Sequence, residues 1–334
     1  MNVAYAINPE NVYAVRFRQD VLNGLKSNPK KLDAKYFYDK TGDAYFQQIM
    51  DMPEYYLTDC ELDIFKNQTA DMAAMIQQSE TPFDLIELGA GDARKSTFLL
   101  RHLAAQTADF TYMPIDISEN ILQILANNLK KELPEGSIIP LAGEYFDMLE
   151  KAYALSTNRK VVLFLGSNIG NMELDEAEQF CIQLRRKLSK GDIVLMGFDL
   201  KKNPHTILKA YNDPPGITAK FNLNILSRIN NELGANFNLA KFEHYQTYDP
   251  VTGACRSFLI SLTNQQVKLD ETTFSFAEHE YIQVEVSQKF TTQDIQLLAS
   301  RAGFQPLAVL NDTKGWFVDV IWQVDNKMEA KWKK

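Results

Sequence analysis

Residues 85–92 read Leu-Ile-Glu-Leu-Gly-Ala-Gly-Asp, and this stretch decides the fold. A short apolar run, typical of a buried strand, passes directly into a Gly-x-Gly turn, and a helical pattern begins at Lys95. Glycines let a ligand lie against the backbone at the carboxyl end of a strand, where open α/β sheets bind their ligands. An ordinary tight turn would produce the same residues, so the turn alone leaves both interpretations open.

Beyond this stretch, short apolar runs alternate with amphipathic segments. The apolar runs cover residues 84–89, 110–117, 138–141, 161–166 and 193–200. One helical pattern starts near residue 95, a second starts near residue 119, and a third covers residues 175–188. This spacing predicts βαβ units and a sheet of five parallel strands. A helix over residues 292–302, followed by strands near 307–310 and over 316–324, predicts that an antiparallel hairpin completes the sheet.

The predicted fold is therefore α/β, with a Rossmann-like sheet and a smaller second lobe. Residues 1–80 show mixed helical spacing and are predicted to form an N-terminal helical segment that contributes to the substrate lobe. Residues 201–285 break the strand–helix rhythm with several turn sequences, which predicts an inserted substrate-binding lobe. Residues 81–200 and 286–334 then form the cofactor-binding sheet domain.

The composition excludes several classes of protein. With 334 residues, of which 45% are hydrophobic, the chain is too apolar for a disordered protein. Its 43 acidic and 35 basic residues give a net charge of −8, which does not favour nucleic acid as a partner. No apolar run reaches the roughly 20 residues of a membrane helix. We therefore expect no membrane partner. Three cysteines without paired spacing fit a reducing compartment, so we expect a cytoplasmic protein.

The residue three positions after the second glycine narrows the choice of cofactor. The dinucleotide fingerprint G-x-G-x-x-G/A needs a small residue there, so that helix and strand pack closely around a pyrophosphate. This chain has Arg94 at that position. The large side chain disfavours an NAD-dependent dehydrogenase and leaves a cofactor with one nucleoside and no pyrophosphate, such as S-adenosylmethionine.

Polar residues follow the next three strands at the same predicted edge of the sheet. Asp116 ends the second strand, where its carboxylate can accept both hydroxyl hydrogens of a ribose; alternatively, Asp116 or Ser118 caps the next helix. Glu144 and Tyr145 follow the third strand, where an acid and a ring can bind the amino group and the ring of adenine. Asn171 follows the fourth strand in a loop that either binds a polar substrate or simply needs positive φ angles.

Longer motifs resemble a known family, in order along the chain from about Tyr36 to Trp322. They are residues 36–39 (YFYD), 52–56 (MPEYY), 87–91 (ELGAG), 164–171 (FLGSNIGN), 210–213 (AYND), 216–222 (GITAKFN), 231–235 (NELGA) and 285–287 (EVS). In these motifs the chain is similar to the L-histidine Nα-methyltransferase family of ergothioneine biosynthesis. The resemblance implies a class I methyltransferase fold, S-adenosylmethionine as methyl donor, S-adenosylhomocysteine as product, and a monomer whose partner is a small-molecule amino-acid substrate.

The resemblance also implies which residues form the site. The cofactor residues by position are Gly89, Lys95, Asp116, Glu144 and Tyr145, and the turn adds Gly91. The substrate residues are Tyr55, Asn171, Tyr211, Glu285 and Ser287, with Tyr38 close by. In the family, the counterparts of Asn171 and Tyr211 face the substrate's α-carboxylate, and those of Glu285 and Ser287 face the imidazole. Side chains two apart in a strand point to one face, and an imidazole offers one donor and one acceptor, so this pairing makes chemical sense.

The predicted reaction is methylation of the α-amino group of L-histidine, up to three times, to give Nα,Nα,Nα-trimethylhistidine (hercynine). Transfer from a sulfonium needs no metal, and positioning is the protein's main task. The predicted catalytic residues are Tyr38, which with water is a candidate proton acceptor, and Glu285, which is either an imidazole anchor or a general base.

Two departures from the family pattern bear on the choice of substrate. Glu144-Tyr145 stands in place of Asp-Phe, which keeps a carboxylate and a ring. Ser257 stands where the family has a methionine near the imidazole, so another amino acid or small amine stays open as the substrate. A dehydrogenase and a noncatalytic S-adenosylmethionine-binding protein are the remaining alternatives.

Overall fold

The structure, a computed structural model, describes residues 9–79 and 81–325. Residues 1–8, 80 and 326–334, which the predicted domain boundaries include, lie outside the described residues. In the described part of the chain, no helix has both the length and the hydropathy that crossing a membrane requires.

The secondary structure follows the predicted alternation. The helices are α1 (Pro9–Lys26), α2 (Lys40–Met50), α3 (Tyr56–Ile76), α4 (Ser96–Ala105), α5 (Glu119–Glu132), α6 (Tyr145–Leu155), α7 (Leu174–Lys187), α8 (Pro204–Tyr211), α9 (Ile217–Leu233) and α10 (Thr292–Ala302). The first seven strands are β1 (Lys30–Lys31), β2 (Phe83–Leu88), β3 (Phe110–Asp116), β4 (Ser137–Ile138), β5 (Leu141–Ala142), β6 (Arg159–Phe164) and β7 (Ile193–Asp199). The others are β8 (Phe242–Tyr248), β9 (Ala254–Ser261), β10 (Gln265–Leu269), β11 (Thr272–Phe276), β12 (Tyr281–Gln288), β13 (Phe304–Asn311) and β14 (Phe317–Val324).

By contacts, the described chain divides into two compact units. The sheet unit contains residues 50–79, 81–207, 249–254 and 287–325, and the small unit contains residues 9–49, 208–248 and 255–286. The N-terminal helical segment is thus shared, because α1 and nearly all of α2 belong to the small unit and α3 belongs to the sheet unit. The assignment of the cofactor to a sheet domain and of the substrate to a second lobe stays a prediction.

The sheet unit is built on one mixed sheet with strand order β13-β14-β7-β6-β2-β3-β4, and β5 also pairs with β3. Strands β2 to β7 pair in parallel, whereas β14 runs antiparallel to both β7 and β13. The Rossmann-like class I sheet with a terminal antiparallel hairpin is therefore confirmed. The predicted third strand over 138–141 is split into β4 and β5 around Pro140, which has no N–H to give to a ladder.

Alternate residues of the central strands build the core of the sheet unit. Ile86 and Leu88 of β2 lie in one buried apolar cluster with side chains from α6, α7 and α10. The residue between them, Glu87, points to the opposite face, as the two-residue period of a strand requires. Helix α10 begins at a capping box made by Thr291 and Asp294 and ends at Gly303 in the left-handed conformation, so the predicted helix over 292–302 is confirmed.

In the small unit, helix α9 holds the segment that contains Tyr38. The Arg228 guanidinium donates to the Tyr36 carbonyl over 3.0 Å, and the Asn224 amide donates to Asp39 over 2.8 Å. The ring of Tyr38 packs edge-on against Phe221, with 5.6 Å between the ring centroids. These contacts fix Tyr38 by packing and hydrogen bonding rather than by a regular helix or strand.

Candidate cofactor and substrate residues

The turn after β2 needs its two glycines for different reasons. Gly89 has a φ of +71°, and a Cβ placed on it would lie 2.7 Å from Asn168 Nδ2 and 2.9 Å from the Tyr145 hydroxyl. Gly91 has a φ of +54°, but a Cβ there would meet no atom within 4 Å. The backbone at Gly89 is therefore enclosed by side chains, whereas Gly91 faces open space beside it.

Asp116 lies at the end of β3 next to this turn. Its carboxylate accepts the N–H of Gly91 over 3.0 Å and the N–H of Ser118 over 2.9 Å. The helix-capping alternative falls to Ser118, whose hydroxyl accepts the N–H of Ile121 over 3.2 Å at the start of α5. Asp116 thus does not cap the helix, and its contact with ribose hydroxyls stays a prediction.

Glu144 and Tyr145 complete this group at the start of α6. The Gly143 N–H donates to the Asp116 carbonyl over 2.9 Å, which joins the two segments. Burial raises the pKa of Tyr145, and the nearby carboxylates of Asp116 and Glu144 raise it further. The structure therefore brings five predicted cofactor residues together: Gly89, Gly91, Asp116, Glu144 and Tyr145.

Lys95, the sixth predicted cofactor residue, is held by an acid that the sequence did not single out. Its ammonium pairs with the wholly buried carboxylate of Glu61, whose two oxygens accept the Gly166 N–H over 2.8 and 2.9 Å. Although burial opposes it, Glu61 raises the pKa of Lys95, so the ammonium stays charged. Glu61 therefore ties Lys95 to the loop after β6.

Two more buried acids lie on this face of the sheet. Asp319 of β14 is wholly buried, and burial together with the charge of Glu61 raises its pKa well above the ordinary value. Glu87 of β2 accepts a hydrogen bond from the Tyr112 hydroxyl over 2.5 Å. Both acids interrupt apolar runs in the sequence, which was the one signal that could have marked them.

Replacing Glu87 by glutamine should remove a pH dependence of stability. Burial raises the pKa of Glu87 from 4.5 to about 7, despite hydrogen bonds from Ser96 and Tyr112. The folded state therefore binds this proton more tightly than the unfolded state, so the stabilisation is complete below pH 4.5 and is lost as the pH rises through about 7. Relative to that of the Glu87→Gln variant, the free energy of unfolding of the wild type should fall by about 3 kcal/mol over this range.

Urea unfolding of both proteins at about pH 5 and about pH 8 measures this difference. A matched Glu135→Gln variant, which removes an exposed carboxylate, should leave the pH dependence of the wild type unchanged. If the free energies of unfolding of Glu87→Gln and the wild type differ by the same amount at both pH values, that result contradicts the raised pKa.

The predicted substrate residues belong to different units, and each is described in its own unit. In the sheet unit, Tyr55 occupies the N-cap position of α3 without a capping hydrogen bond from its side chain, Asn171 is exposed at the end of the 3₁₀ helix after β6, and Ser287 is buried. In the small unit, Tyr211 is buried, and half-buried Glu285 accepts the Ser257 hydroxyl over 3.0 Å. The departure at Ser257 thus adds a polar contact to a predicted imidazole partner.

The residues predicted to bind the cofactor leave little space around Gly89. At Gly89 a Cβ would occupy space beside Asn168 and Tyr145, and Asp116 offers a carboxylate at the neighbouring strand end. Arg94, at the position where a dinucleotide fold has a small residue, pairs instead with Asp51 over 2.8 Å. Sequence reasoning placed Asn168 in the loop but did not predict that it lies against Gly89.

Comparisons with known proteins identify the family of the chain. The sequence model of the family described as "Histidine-specific methyltransferase, SAM-dependent" matches residues 17–324. A relative from Mycobacterium tuberculosis named Histidine N-alpha-methyltransferase is 31% identical over 92% of this chain and 95% of its own. A protein of the same name from Mycolicibacterium smegmatis is 32% identical over 91% of this chain and 94% of its own.

A third relative is a longer protein. Ergothioneine biosynthesis protein 1 of Schizosaccharomyces pombe is 27% identical over 85% of this chain and 37% of its own length. The match of the family model to nearly the whole chain is not compatible with a dehydrogenase. The chain belongs to the family of S-adenosylmethionine-dependent, histidine-specific methyltransferases.

Proposed function

We propose that this enzyme methylates the α-amino group of L-histidine up to three times, giving Nα,Nα,Nα-trimethylhistidine as a step of ergothioneine biosynthesis. The observation that carries the proposal is the similarity over nearly the whole chain to relatives named Histidine N-alpha-methyltransferase. The presence of Glu285 and Ser287 in the pattern expected of imidazole partners supports it further.

The residues at the strand ends of the sheet unit would hold the cofactor, which when bound supplies an electrophilic methyl group on a sulfonium. Asp116 would accept the ribose hydroxyls, and Glu144 with Tyr145 would contact the adenine. Lys95, kept charged by Glu61, is suited to the carboxylate of the methionine part. No step in this arrangement calls for a metal ion.

The substrate amine must lose a proton before its lone pair can attack the methyl carbon. We propose that this proton leaves to water or to Tyr38, and that the electrons of the broken carbon–sulfur bond stay on sulfur. Asn171, Tyr211 and Tyr55 would hold the α-carboxylate end, which fixes the nitrogen in line with the methyl group. Further transfers require aromatic faces that tolerate a growing quaternary ammonium.

An assay over the twenty common amino acids tests the proposal directly. Mass spectrometry should show mono-, di- and trimethylated histidine, with S-adenosylhomocysteine formed in proportion. If no methylated histidine forms and another amino acid gives a methylated product, that amino acid replaces histidine as the substrate.

Replacing Glu285 by glutamine should raise the KM for histidine about tenfold and change kcat by less than about threefold. An anchor contributes the same binding energy to ground and transition states, whereas a general base acts only in the transition state. Glutamine keeps an acceptor for the ring N–H but loses the charge that strengthens the bond. Steady-state kinetics with saturating cofactor separates the two constants.

The matched control is Glu243→Gln, which removes an exposed carboxylate of β8 in the same unit and should leave both constants unchanged. A collapse of kcat in Glu285→Gln with an unchanged KM would instead make Glu285 the general base.

A second candidate is α-amino methylation of a different amino acid. The specific observation in its favour is the hydrogen bond from Ser257 to Glu285, at a position where the family has methionine. A hydroxyl gives a smaller and more polar wall than a thioether, so it admits side chains with more hydrogen-bonding groups. The amino-acid panel distinguishes this candidate from the first.

We also propose that the enzyme works as a monomer in the cytoplasm, with no nucleic-acid partner. Cys60, Cys181 and Cys255 are buried and are not joined in disulfides, which fits a reducing compartment. The net charge of −8 gives no attraction to phosphate backbones.

A further inference from the structure

Three buried acids surround one lysine on the face of the sheet against which α3 packs. We call this group the Glu61 cluster, and its members are Glu61, Glu87, Lys95 and Asp319. Glu61 and Asp319 have no exposed surface, Glu87 exposes 2%, and the Lys95 side chain exposes 20%. Burial lowers the pKa of Lys95, but all three acids lie close enough to raise it above its ordinary value. If all three acids were ionised, two buried negative charges would lack a cation, which is costly away from water.

Glu61 is the member of the cluster that keeps its negative charge. Its carboxylate pairs with the Lys95 ammonium, and its two oxygens accept the Gly166 N–H over 2.8 and 2.9 Å. Hydrogen bonds from a cation and from a backbone N–H favour the ionised form of a carboxyl group. Glu61 therefore has the donors that a buried carboxylate needs.

Asp319 lacks such donors. Among the residues that the structure describes, no N–H or O–H group donates to either of its side-chain oxygens. Burial raises the pKa of Asp319 well above its ordinary value, and the charge of Glu61 raises it further. Asp319 is therefore a neutral carboxylic acid, and its one hydrogen needs an acceptor.

Gly197 of β7 gives the two acids room to meet. It pairs with Asp319 across the ladder between β7 and β14, so both residues present the same face of the sheet. A Cβ on Gly197 would collide with Glu61 Oε1 and would lie 3.1 Å from Asp319 Oδ1. Oxygens of both acids thus border the space that a side chain at Gly197 would fill, and Glu61 is the acceptor next to Asp319.

The other acids on this face of the sheet have partners of their own. Glu87 accepts the Tyr112 hydroxyl over 2.5 Å, and its strand β2 lies three strands away from β14. Asp199 lies further along β7, where it pairs with two cations, Lys202 and Lys289. Neither acid competes with Glu61 for the hydrogen of Asp319.

We propose that Asp319 is a positioning residue, which donates its carboxyl hydrogen to Glu61 so that the single negative charge of the two acids holds the Lys95 ammonium ready for the carboxylate of the methyl donor. The inference rests on the proposed function, which assigns that carboxylate to Lys95. Donors on both oxygens leave Glu61 one orientation, and Lys95 has further hydrogens besides the one that Glu61 accepts. A cation that is fixed before the ligand arrives loses less conformational freedom on binding.

The test compares S-adenosylhomocysteine with its decarboxylated analogue by calorimetric titration. The wild type should bind the parent compound at least about 30-fold more tightly, and Lys95→Met should lose most of this preference. Asp319→Leu has a similar volume but no hydrogen to donate, and it should reduce the preference at least about fivefold. Asp319→Asn keeps a donor in the form of its amide and should retain the preference within about twofold.

The ratio of the two affinities separates positioning from a merely structural role, because a weakened fold lowers the affinity for both ligands alike. The matched control is Val320→Ala, which removes part of a buried side chain in the apolar cluster on the opposite face of the sheet and should keep the preference. If Asp319→Leu does not fold, Gly197→Ala, whose Cβ displaces Glu61, should show the same loss. A wild-type preference in the folded variant would overturn the proposal.

The infrared difference spectrum between the wild type and Asp319→Asn detects the proton directly and needs no ligand. Near neutral pH the wild type should contribute the C=O band of a protonated carboxyl group, and the band of Glu87 cancels because both proteins have this residue. A carboxylate band in its place would overturn the proposal. So would a loss of preference in Asp319→Asn as large as that in Asp319→Leu.

Failure of the proposed function gives different results. If Lys95→Met keeps the wild-type preference, the cofactor carboxylate does not bind at Lys95, and the positioning role of Asp319 is refuted with it. If the wild type shows the expected preference but methylates no histidine, the proposed substrate is refuted while the role of Asp319 stands.

Discussion

Replacing Gly89 by alanine should weaken the binding of S-adenosylhomocysteine, and of the methyl donor, by about 100-fold or more. The φ of +71° strains any side chain, and the new Cβ would lie 2.7 Å from Asn168 Nδ2 and 2.9 Å from the Tyr145 hydroxyl. Both side chains must therefore move, and both border the predicted cofactor site. Calorimetric titration measures the affinity, and methyl transfer at saturating histidine measures the loss of activity.

Two other glycines separate the causes of this effect. Gly191 precedes β7 and has a φ of +88°, and a Cβ there would meet no atom within 4 Å, so Gly191→Ala carries backbone strain alone. It should cost about 1 to 2 kcal/mol of stability and leave the cofactor affinity nearly unchanged. Gly91→Ala also meets no protein atom, so a loss of affinity there beyond that seen in Gly191→Ala comes from contact with the ligand. Wild-type affinity in Gly89→Ala would refute the placement of the cofactor at this turn.

Replacing Asp116 by asparagine should weaken cofactor binding by a similar factor of about 100, because two charge-assisted hydrogen bonds to a ribose lose their strength. Asparagine keeps one oxygen for the Gly91 N–H, which Asp116 accepts over 3.0 Å, so the turn itself should persist. A 2′-deoxyribose analogue of S-adenosylhomocysteine sharpens the test. The wild type should bind it much more weakly than the parent compound, whereas Asp116→Asn should bind both almost equally.

Ser118→Ala is the matched control for Asp116→Asn. It removes the hydroxyl that accepts the Ile121 N–H at the start of α5, and should cost about 1 kcal/mol of stability without changing the cofactor affinity. If Asp116→Asn and the wild type discriminate equally against the deoxy analogue, Asp116 does not contact the ribose.

Local sequence signals were sufficient for most of the sheet unit. The apolar runs, their alternation with helical segments and the turn residues predicted the parallel strands and the final hairpin. The boundaries of α10 were correct because Thr291 and Gly303 bound it by local hydrogen bonding and conformation. The one misjudged strand was broken by Pro140, whose effect is also local. Such features depend on neighbours a few residues away, so a single sequence contains them.

The partners of the buried charges could not be found in this way. Glu61 and Lys95 are 34 residues apart in the sequence and belong to different elements, yet they form one pair. Likewise, nothing in the sequence near Lys289 indicates that Asp199 and Ser287 flank its ammonium. A buried charge needs a specific partner because desolvation is costly, but any element of the fold can supply that partner.

The sequence by itself thus determined the alternation of strands and helices in most of the sheet unit, the glycine turn, the family, and the residue types at the ends of the strands. Only the tertiary structure decided that Ser118 rather than Asp116 caps α5, that Asn168 and Tyr145 enclose Gly89, and that Ser287 accepts from Lys289. The physical reason is that the direction of a hydrogen bond and the space around a backbone atom depend on side chains that folding brings together from distant parts of the chain.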